Sequence, residues 1–160
     1  MDRLRRRSRA RTELRICDDD ELRSGAAKAR RQAERARIIA EASPGDEVLS
    51  EEASEAEAER KAAQTALDNA SEVLTFLALP RPVLEELIAA HPPTDAQAQD
   101  GAVFNADTFP AALISAASLD GMSEEEAAEL LATWSAADAN LLWEAAWQVQ
   151  QESRADLGKG

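Results

Sequence analysis

The chain has 160 residues, contains no tyrosine and only 4% aromatic residues, and carries a formal net charge of −13. This length suffices for one ordinary domain, or for a small domain with an appendage, and the few aromatic residues limit the core to a modest size. The acidic excess disfavours binding to nucleic acid and to anionic membranes, and no segment approaches the apolar length that spans a bilayer. The single cysteine, Cys17, excludes an intrachain disulfide and is typical of a reducing compartment.

Charge is segregated along the chain. Residues 1–37 carry 13 Lys and Arg against 7 Asp and Glu, whereas residues 38–160 carry 5 against 24. The basic excess begins with an arginine run at residues 1–11, and no aromatic residue interleaves these arginines as base stacking would require. We therefore predict a flexible, solvated basic tail over residues 1–18, ending in a short extended segment, rather than a nucleic-acid site.

Residues 19–72 carry the pattern of two long helices joined by a turn. An acidic cluster predicts a helix start near Asp19 or Asp20, and Pro44 with Gly45 interrupts the helical pattern. On both sides of the interruption, small apolar residues recur at alternating spacings of four and three, which is a heptad pattern. The sequence therefore predicts an antiparallel helical hairpin. The seam positions are Leu22, Ala26, Ala29, Ala33, Ala36 and Ala40, then Leu49, Ala53, Ala56, Arg60, Ala63, Leu67, Ala70 and Leu74.

Charge in the hairpin is opposite in sign on the two helices. Folding the chain at the turn brings arginines of the first helix toward glutamates of the second. We expect such exposed pairs, each worth about 0.2–1 kcal/mol, to select the orientation more than to stabilise it. Alanine seams bury little apolar surface, so we expect the hairpin to fray or to rest against a partner. The residues concerned are Arg30, Arg31, Arg35 and Arg37, facing Glu51, Glu52, Glu55, Glu57 and Glu59.

Residues 73–152 hold all six aromatic residues and should form a small helical core domain. Residues 73–79 are either a short strand or the last turn of the preceding helix. A helix should follow with Pro82 in its first turn, and His91 should cap or pack at its end rather than bind metal. Residues 94–106 should form a polar loop that Phe104 anchors to the core.

Three further helices are predicted in this domain. Asp107 or Thr108 should cap a helix that Asp120 and Gly121 terminate. Ser123 with Glu126 forms a capping-box pattern, and Ser135 should open the last helix. Residues 153–160 should be a flexible tail. The fold class is therefore mainly α: an N-terminal charged helical hairpin with alanine-rich heptads and a small C-terminal helical domain, with up to two short strands.

No residue pattern in the sequence indicates a catalytic or metal-binding site. Cys17 and His91 are far apart in sequence, and the carboxylates lack the spacing of a cation-binding loop. We therefore expect no catalytic, cofactor-binding or metal-binding residue, and no enzymatic activity. In the last helix, Trp143 and Trp147 lie one turn apart beside an apolar stripe. They either close the domain's own core or form a ridge that anchors a partner helix.

Three segments of the chain, in their order, are similar to one family. They are VLTFLALPRPVLEELIAAHPP (residues 73–93), FNADTFPAALISAASLDGMSEEEAAELL (residues 104–131), which begins with FNADTFP (residues 104–110), and LLWEAAWQVQQESR (residues 141–154). This succession resembles the tail assembly chaperones of long-tailed actinobacterial phages. The resemblance implies a protein of the host cytoplasm that binds the tape measure protein and keeps it soluble while tail tube subunits polymerise around it. It also implies no enzymatic activity and, in many members, a longer form made by ribosomal frameshifting, for which Gly158 and Lys159 are compatible with a slippery codon run.

An acidic helical chaperone is also reasonable physically. A tape measure protein exposes a long apolar helical face, which a helical binder covers by packing while its charge prevents clumping. Further candidate partners are a second copy of the chain or the longer form, and we expect no membrane partner. The alternative is a structural virion or scaffold protein that assembles through its hairpin. Candidate contact residues for a partner are Trp143, Trp147, Phe109, Leu113 and Leu142.

Overall fold

The computed structural model describes residues 1–153, and it confirms a mainly helical fold with one two-stranded antiparallel sheet. The predicted flexible tail from residue 154 onward, and the frameshift hypothesis at Gly158 and Lys159, lie outside the described residues. In chain order the elements are α1 (Asp2–Arg5), β1 (Arg11–Ile16), α2 (Asp20–Ala42), α3 (Glu47–Asn69), β2 (Glu72–Leu77), α4 (Arg81–Ala90), α5 (Asp95–Gln99), α6 (Phe109–Ala117), α7 (Glu124–Thr133) and α8 (Ala136–Gln151).

The described chain divides into two compact units. One is Arg15–Val73, which contains α2 and α3; the other combines Met1–Leu14 with the chain from Leu74 onward. The division falls within β1 and β2, which pair with each other. Residues 73–79 were predicted as either a short strand or the last turn of the preceding helix. The strand is observed as β2, since α3 ends at Asn69.

Local side chains fix the ends of the two hairpin helices. The Asp19 carboxylate accepts a hydrogen bond from the Leu22 amide at 3.0 Å, so α2 begins where the acidic cluster predicts. Asp46 does the same for α3, accepting from the amides of Val48 and Leu49 at 3.1 Å each. Between them Gly45 has a φ of +91°, a left-handed conformation that glycine adopts without strain and that reverses the chain.

Burial along the hairpin follows the heptads. In α2 the six predicted seam positions are buried or half-buried, and Ala26 and Ala33 are 8% and 6% exposed. In α3 the seam from Leu49 to Leu67 is half-buried, and it stops there because the helix ends at Asn69. The two helices therefore pack through a narrow stripe of small side chains, as the spacing indicates.

The prediction that arginines of α2 pair with glutamates of α3 is wrong. Between residues 20 and 69 every ion pair joins two residues of the same helix, three or four positions apart. Arg37 contacts Glu34 at 2.7 Å and Glu41 at 3.4 Å, and Arg60 contacts Glu57 at 2.7 Å. A glutamate one turn away on the same helix is within closer reach of each guanidinium than the facing helix is.

The core of the other unit is built around α6. This helix is apolar on all sides, and Phe109, Leu113 and Ile114 within it are fully buried. Phe76 of β2 and the α8 residues Leu142 and Val149 complete the set of large, fully buried side chains. A strand and two helices from distant parts of the sequence therefore share one core.

A bridge to β2 ends α6 three residues before the predicted Asp120 and Gly121. The helix stops at Ala117 because Ser118 forms an isolated antiparallel bridge with Phe76. The Leu119 amide donates to the Thr75 carbonyl at 2.9 Å, and the Thr75 amide donates to the Asp120 carboxylate at 2.6 Å. These bonds to a strand that is distant in sequence take the place of further helical turns.

The predicted polar loop at residues 94–106 contains a helix that the sequence interpretation missed. Thr94 and Gln97 form a complete capping box at the start of α5, and Gly101 turns the chain after it with a φ of +86°. The Thr-x-x-Gln pattern was the available signal. The capping box of Ser123 and Glu126 at α7 is confirmed, as is the Ser135 cap of α8.

Candidate partner-binding surface

Trp143 and Trp147 stack against each other on α8. Their ring centroids are 5.4 Å apart and their planes differ by 15°. The spacing of four residues places both indoles on one side of the helix, one turn apart. Both side chains are half-buried, so each has one part packed on the protein and another part open to solvent.

The ring of Phe104 packs against both indoles. Its ring lies 5.8 Å from Trp143 and 5.5 Å from Trp147, edge to face in both cases. It also lies 4.3 Å from the fully buried ring of Phe109, which itself is 6.1 Å from each indole. The four rings form one continuous cluster from the core to the surface, and such contacts hold an exposed indole in a fixed orientation.

The loop that carries Phe104 is fixed by two conspicuous sequence segments. The Asn105 amide donates to the His91 carbonyl at 2.8 Å, which joins the HisProPro segment to the FNADTFP segment. His91 Nδ1 lies 2.9 Å from Thr108 Oγ1, and its ring is 6.2 Å from that of Phe109. The Asn105 side chain accepts from the amides of Asp107 and Thr108, so Asn105 organises the start of α6.

Asn105 is the residue that sequence reasoning missed here, since the cap was expected at Asp107 or Thr108. Thr108 is the N-cap residue by position, but its hydroxyl makes no capping hydrogen bond. An asparagine three residues before the cap position was the available signal, because its short amide side chain bonds the backbone of the next turn.

The five predicted contact residues fall into two groups. Phe109, Leu113 and Leu142 have no exposed surface and lie inside the core, so they do not face a partner in this structure. Trp143 and Trp147 are the two that reach the surface. Each indole packs on the core and keeps part of its surface exposed, and the anchoring of a partner helix by this surface stays a prediction.

A separate surface feature lies within the hairpin. A groove runs between α2 and α3, and small side chains such as Ala33, Ala40 and Ala53 line it together with charged side chains of both helices. The charged lining residues are Arg30, Glu34, Arg37, Glu57, Arg60 and Lys61, which carry four positive and two negative charges.

Hydrogen bonds lower the pKa values of two carboxyl groups, those of Glu57 and Glu126. The guanidinium of Arg60 donates to Glu57 and lowers the pKa of that carboxyl below its usual value. The backbone amide and hydroxyl of Ser123 lower the pKa of Glu126 in the same way. Within the described part of the chain, no group of three or more metal-ligating side chains comes together, and His91 is engaged with Thr108. No helix in that part is both long and apolar enough to cross a membrane.

Comparisons of the chain with protein-family models, with curated proteins and with solved structures return no match.

Proposed function

We propose that the chain is a phage tail assembly chaperone that binds the tape measure protein and keeps it soluble during tail morphogenesis. The observation that carries this proposal is the stacked, half-exposed pair of Trp143 and Trp147, fixed on the core by Phe104. The resemblance to that chaperone family supports it independently. Its two most specific segments, at residues 91–93 and 104–110, contact each other through His91, Asn105 and Thr108.

A rigid indole pair suits an apolar helical partner. Tryptophan is enriched among residues that dominate binding energy, and an indole that is already immobilised loses little conformational freedom on binding. The partner in this proposal is the apolar stripe of a tape measure helix, laid across the two indoles. The net charge of −13 repels other copies of the complex and so opposes aggregation.

The proposal places the protein in the host cytoplasm during assembly, without an enzymatic step. A longer form produced by frameshifting near Gly158 and Lys159 belongs to the same proposal. A coding sequence without a slippery run at those codons would remove that part while leaving the chaperone function intact.

The test is co-expression with the tape measure protein of the same phage, followed by measurement of soluble tape measure protein and of co-purification. We expect soluble recovery only with this chain, and a loss of at least about tenfold in affinity when Trp143 and Trp147 are both changed to alanine, since two anchors of about 1 kcal/mol or more are removed. Trp134→Ala is the matched control, because Trp134 packs on the core outside the aromatic cluster. Circular dichroism establishes that each variant is folded.

Equal recovery of tape measure protein with and without this chain would refute the chaperone proposal. The alternative, a structural or scaffold protein, is favoured by the hairpin, whose outer charges have few ion-pair partners among residues 1–153. It predicts that the chain remains in purified particles, whereas the chaperone proposal predicts its absence from them.

A further inference from the structure

The two sides of the α2/α3 hairpin differ in what they present. Residues that directly follow a seam position line the groove; Glu34 after Ala33, Ser54 after Ala53 and Lys61 after Arg60 are examples. Residues that directly precede a seam position therefore lie on the opposite side, because one residue corresponds to about 100° around a helix. In the part of the hairpin nearer the turn, this opposite side carries Gln32 and seven residues that are called the charged face below: Lys28, Arg35 and Ile39 of α2, and Val48, Glu52, Glu55 and Glu59 of α3. Farther from the turn the same positions hold Glu21, Gly25, Ala62 and Ala66.

The charged face is exposed and its charges are unpaired. All seven side chains are exposed, and Ile39 and Val48 retain 43% and 65% of their accessible surface. Within residues 1–153, no ion pair involves the lysine, the arginine or the three glutamates of this face. The α2 half is thus positive and the α3 half negative, with one large aliphatic residue on each helix close to the turn.

Position along the hairpin matches these groups in pairs. Because the chain reverses at residues 43–46, Arg35 lies level with about residue 54 and Lys28 with about residue 61 of α3. Arg35 is therefore at the height of Glu52 and Glu55, and Lys28 at the height of Glu59. Ile39 is near the height of Val48, so the apolar pair sits at the turn end of both helices.

We infer that a second copy of the chain docks on the charged face to form a four-helix bundle with both turns at the same end. A two-fold axis parallel to the helices places α2 of each copy over α3 of the other. Arg35 then meets Glu52 and Glu55 of the second copy, Lys28 meets its Glu59, and Ile39 packs on its Val48. The alternative two-fold arrangement, with turns at opposite ends, places α2 over α2 and α3 over α3 and so opposes like charges.

The size of the face is adequate for a dimer. Helices of 23 residues are about 34 Å long, and two of them side by side are about 20 Å wide, so one face offers at most about 700 Å². Two such faces bury up to about 1,400 Å², which lies within the range of specific interfaces. The groove side is a poorer self-docking surface, because its four positive and two negative charges would oppose an identical set.

Charge reversal gives a direct test on the purified full-length chain, with no tape measure protein present. The acidic variant carries Lys28→Glu and Arg35→Glu, and the basic variant carries Glu55→Lys and Glu59→Lys. Sedimentation equilibrium at about 150 mM salt limits long-range repulsion between acidic chains. We expect the natural chain to dimerise and each variant alone to dissociate at least about tenfold more readily.

Mixing the two variants is the decisive step. The acidic variant has two negative helices on this face and the basic variant two largely positive ones, so an equimolar mixture should recover a heterodimer. The control variant carries Arg30→Glu and Arg31→Glu, which lie away from the charged face. It lowers the net charge of the chain by the same amount as the acidic variant does, and it should dimerise like the natural chain. Circular dichroism confirms that the hairpin is folded in each.

A natural chain that stays monomeric at the highest soluble concentration overturns the inference. So does a dimer that both reversals leave unchanged, or a mixture of the two variants that yields no heterodimer. These outcomes are independent of the proposed chaperone function, which depends on the tryptophans of α8 and on another protein.

Discussion

Truncation of Phe104 to alanine tests whether the four-ring cluster holds the tryptophan pair in place. Phe104 lies between the buried ring of Phe109, 4.3 Å away, and the indoles of Trp143 and Trp147. Its removal takes away the nearer of the two phenylalanine rings that contact both indoles, and it leaves a cavity beside Phe109. We therefore expect a loss of stability together with a loss of the fixed orientation of the tryptophans.

The magnitude follows from burial and ring geometry. Fully buried phenylalanines cost about 3–5 kcal/mol when changed to alanine, and Phe104 is only half-buried, which lowers this cost. Its aromatic contacts add about 0.5–1.5 kcal/mol beyond the area that is buried. We expect the free energy of unfolding of the unit that contains α8 to fall by about 2–4 kcal/mol.

Urea unfolding followed by tryptophan fluorescence measures this loss, since all three tryptophans lie in the same unit. Near-ultraviolet circular dichroism reports the orientation of the indoles in the folded state. Val103→Ala is the matched control; Val103 is 69% exposed beside Phe104 in sequence, so its truncation should stay within about 0.5 kcal/mol. A Phe104→Ala loss as small as that of the control, with an unchanged near-ultraviolet spectrum, would refute the cluster as the support of the tryptophans.

Two further predictions concern hydrogen bonds to carboxylates. Asp120→Ala should lower the free energy of unfolding by about 1–3 kcal/mol in urea titrations, because it leaves the amide of the buried Thr75 without its acceptor; an effect no larger than that of Asp100→Ala would contradict this. The capping box at α7 should weaken in acid, because Ser123 lowers the pKa of Glu126 in the folded chain. The stabilisation by ionised Glu126 is complete above the unfolded pKa of about 4.5, and it is lost as the pH falls through the lower pKa of the folded state. Glu126→Gln should therefore be less stable than the natural chain at neutral pH and equal to it in strong acid. Glu125→Gln is the control for the loss of a charge. A difference in stability that persists in acid would count against a role of ionised Glu126 in the cap.

Local sequence signals predicted the starts of elements well. Asp19, Ser123 and Ser135 each bond an amide within the first turn of their own helix, so the information lies within four residues. The heptad spacing predicted the seam of the hairpin for the same reason, since it repeats within each helix. The missed helix α5 had an equally local signal in Thr94 and Gln97, which the surrounding polar residues obscured.

Sequence alone could not assign the candidate contact residues to core or surface. Phe109, Leu113 and Leu142 carry the same apolar character as Trp143 and Trp147, and the sequence analysis proposed all five as contacts for a partner. Only the packing of α6, α8 and Phe76 of β2 into one core decides that the first three are fully enclosed. The two indoles stay half-buried, as is usual for the large tryptophan side chain.

The sequence by itself determined the mainly helical fold class, the hairpin with its seam, and the caps of α2, α7 and α8. These features depend on propensity, spacing and side chains that bond their own turn. Tertiary structure decided the end of α6 at Ala117 and the partial exposure of the tryptophans. The end of α6 depends on Phe76, a residue distant in sequence that forms a bridge with Ser118. The exposure of the tryptophans depends on how many side chains the core has room to enclose. Neither property can be read from a short stretch of sequence.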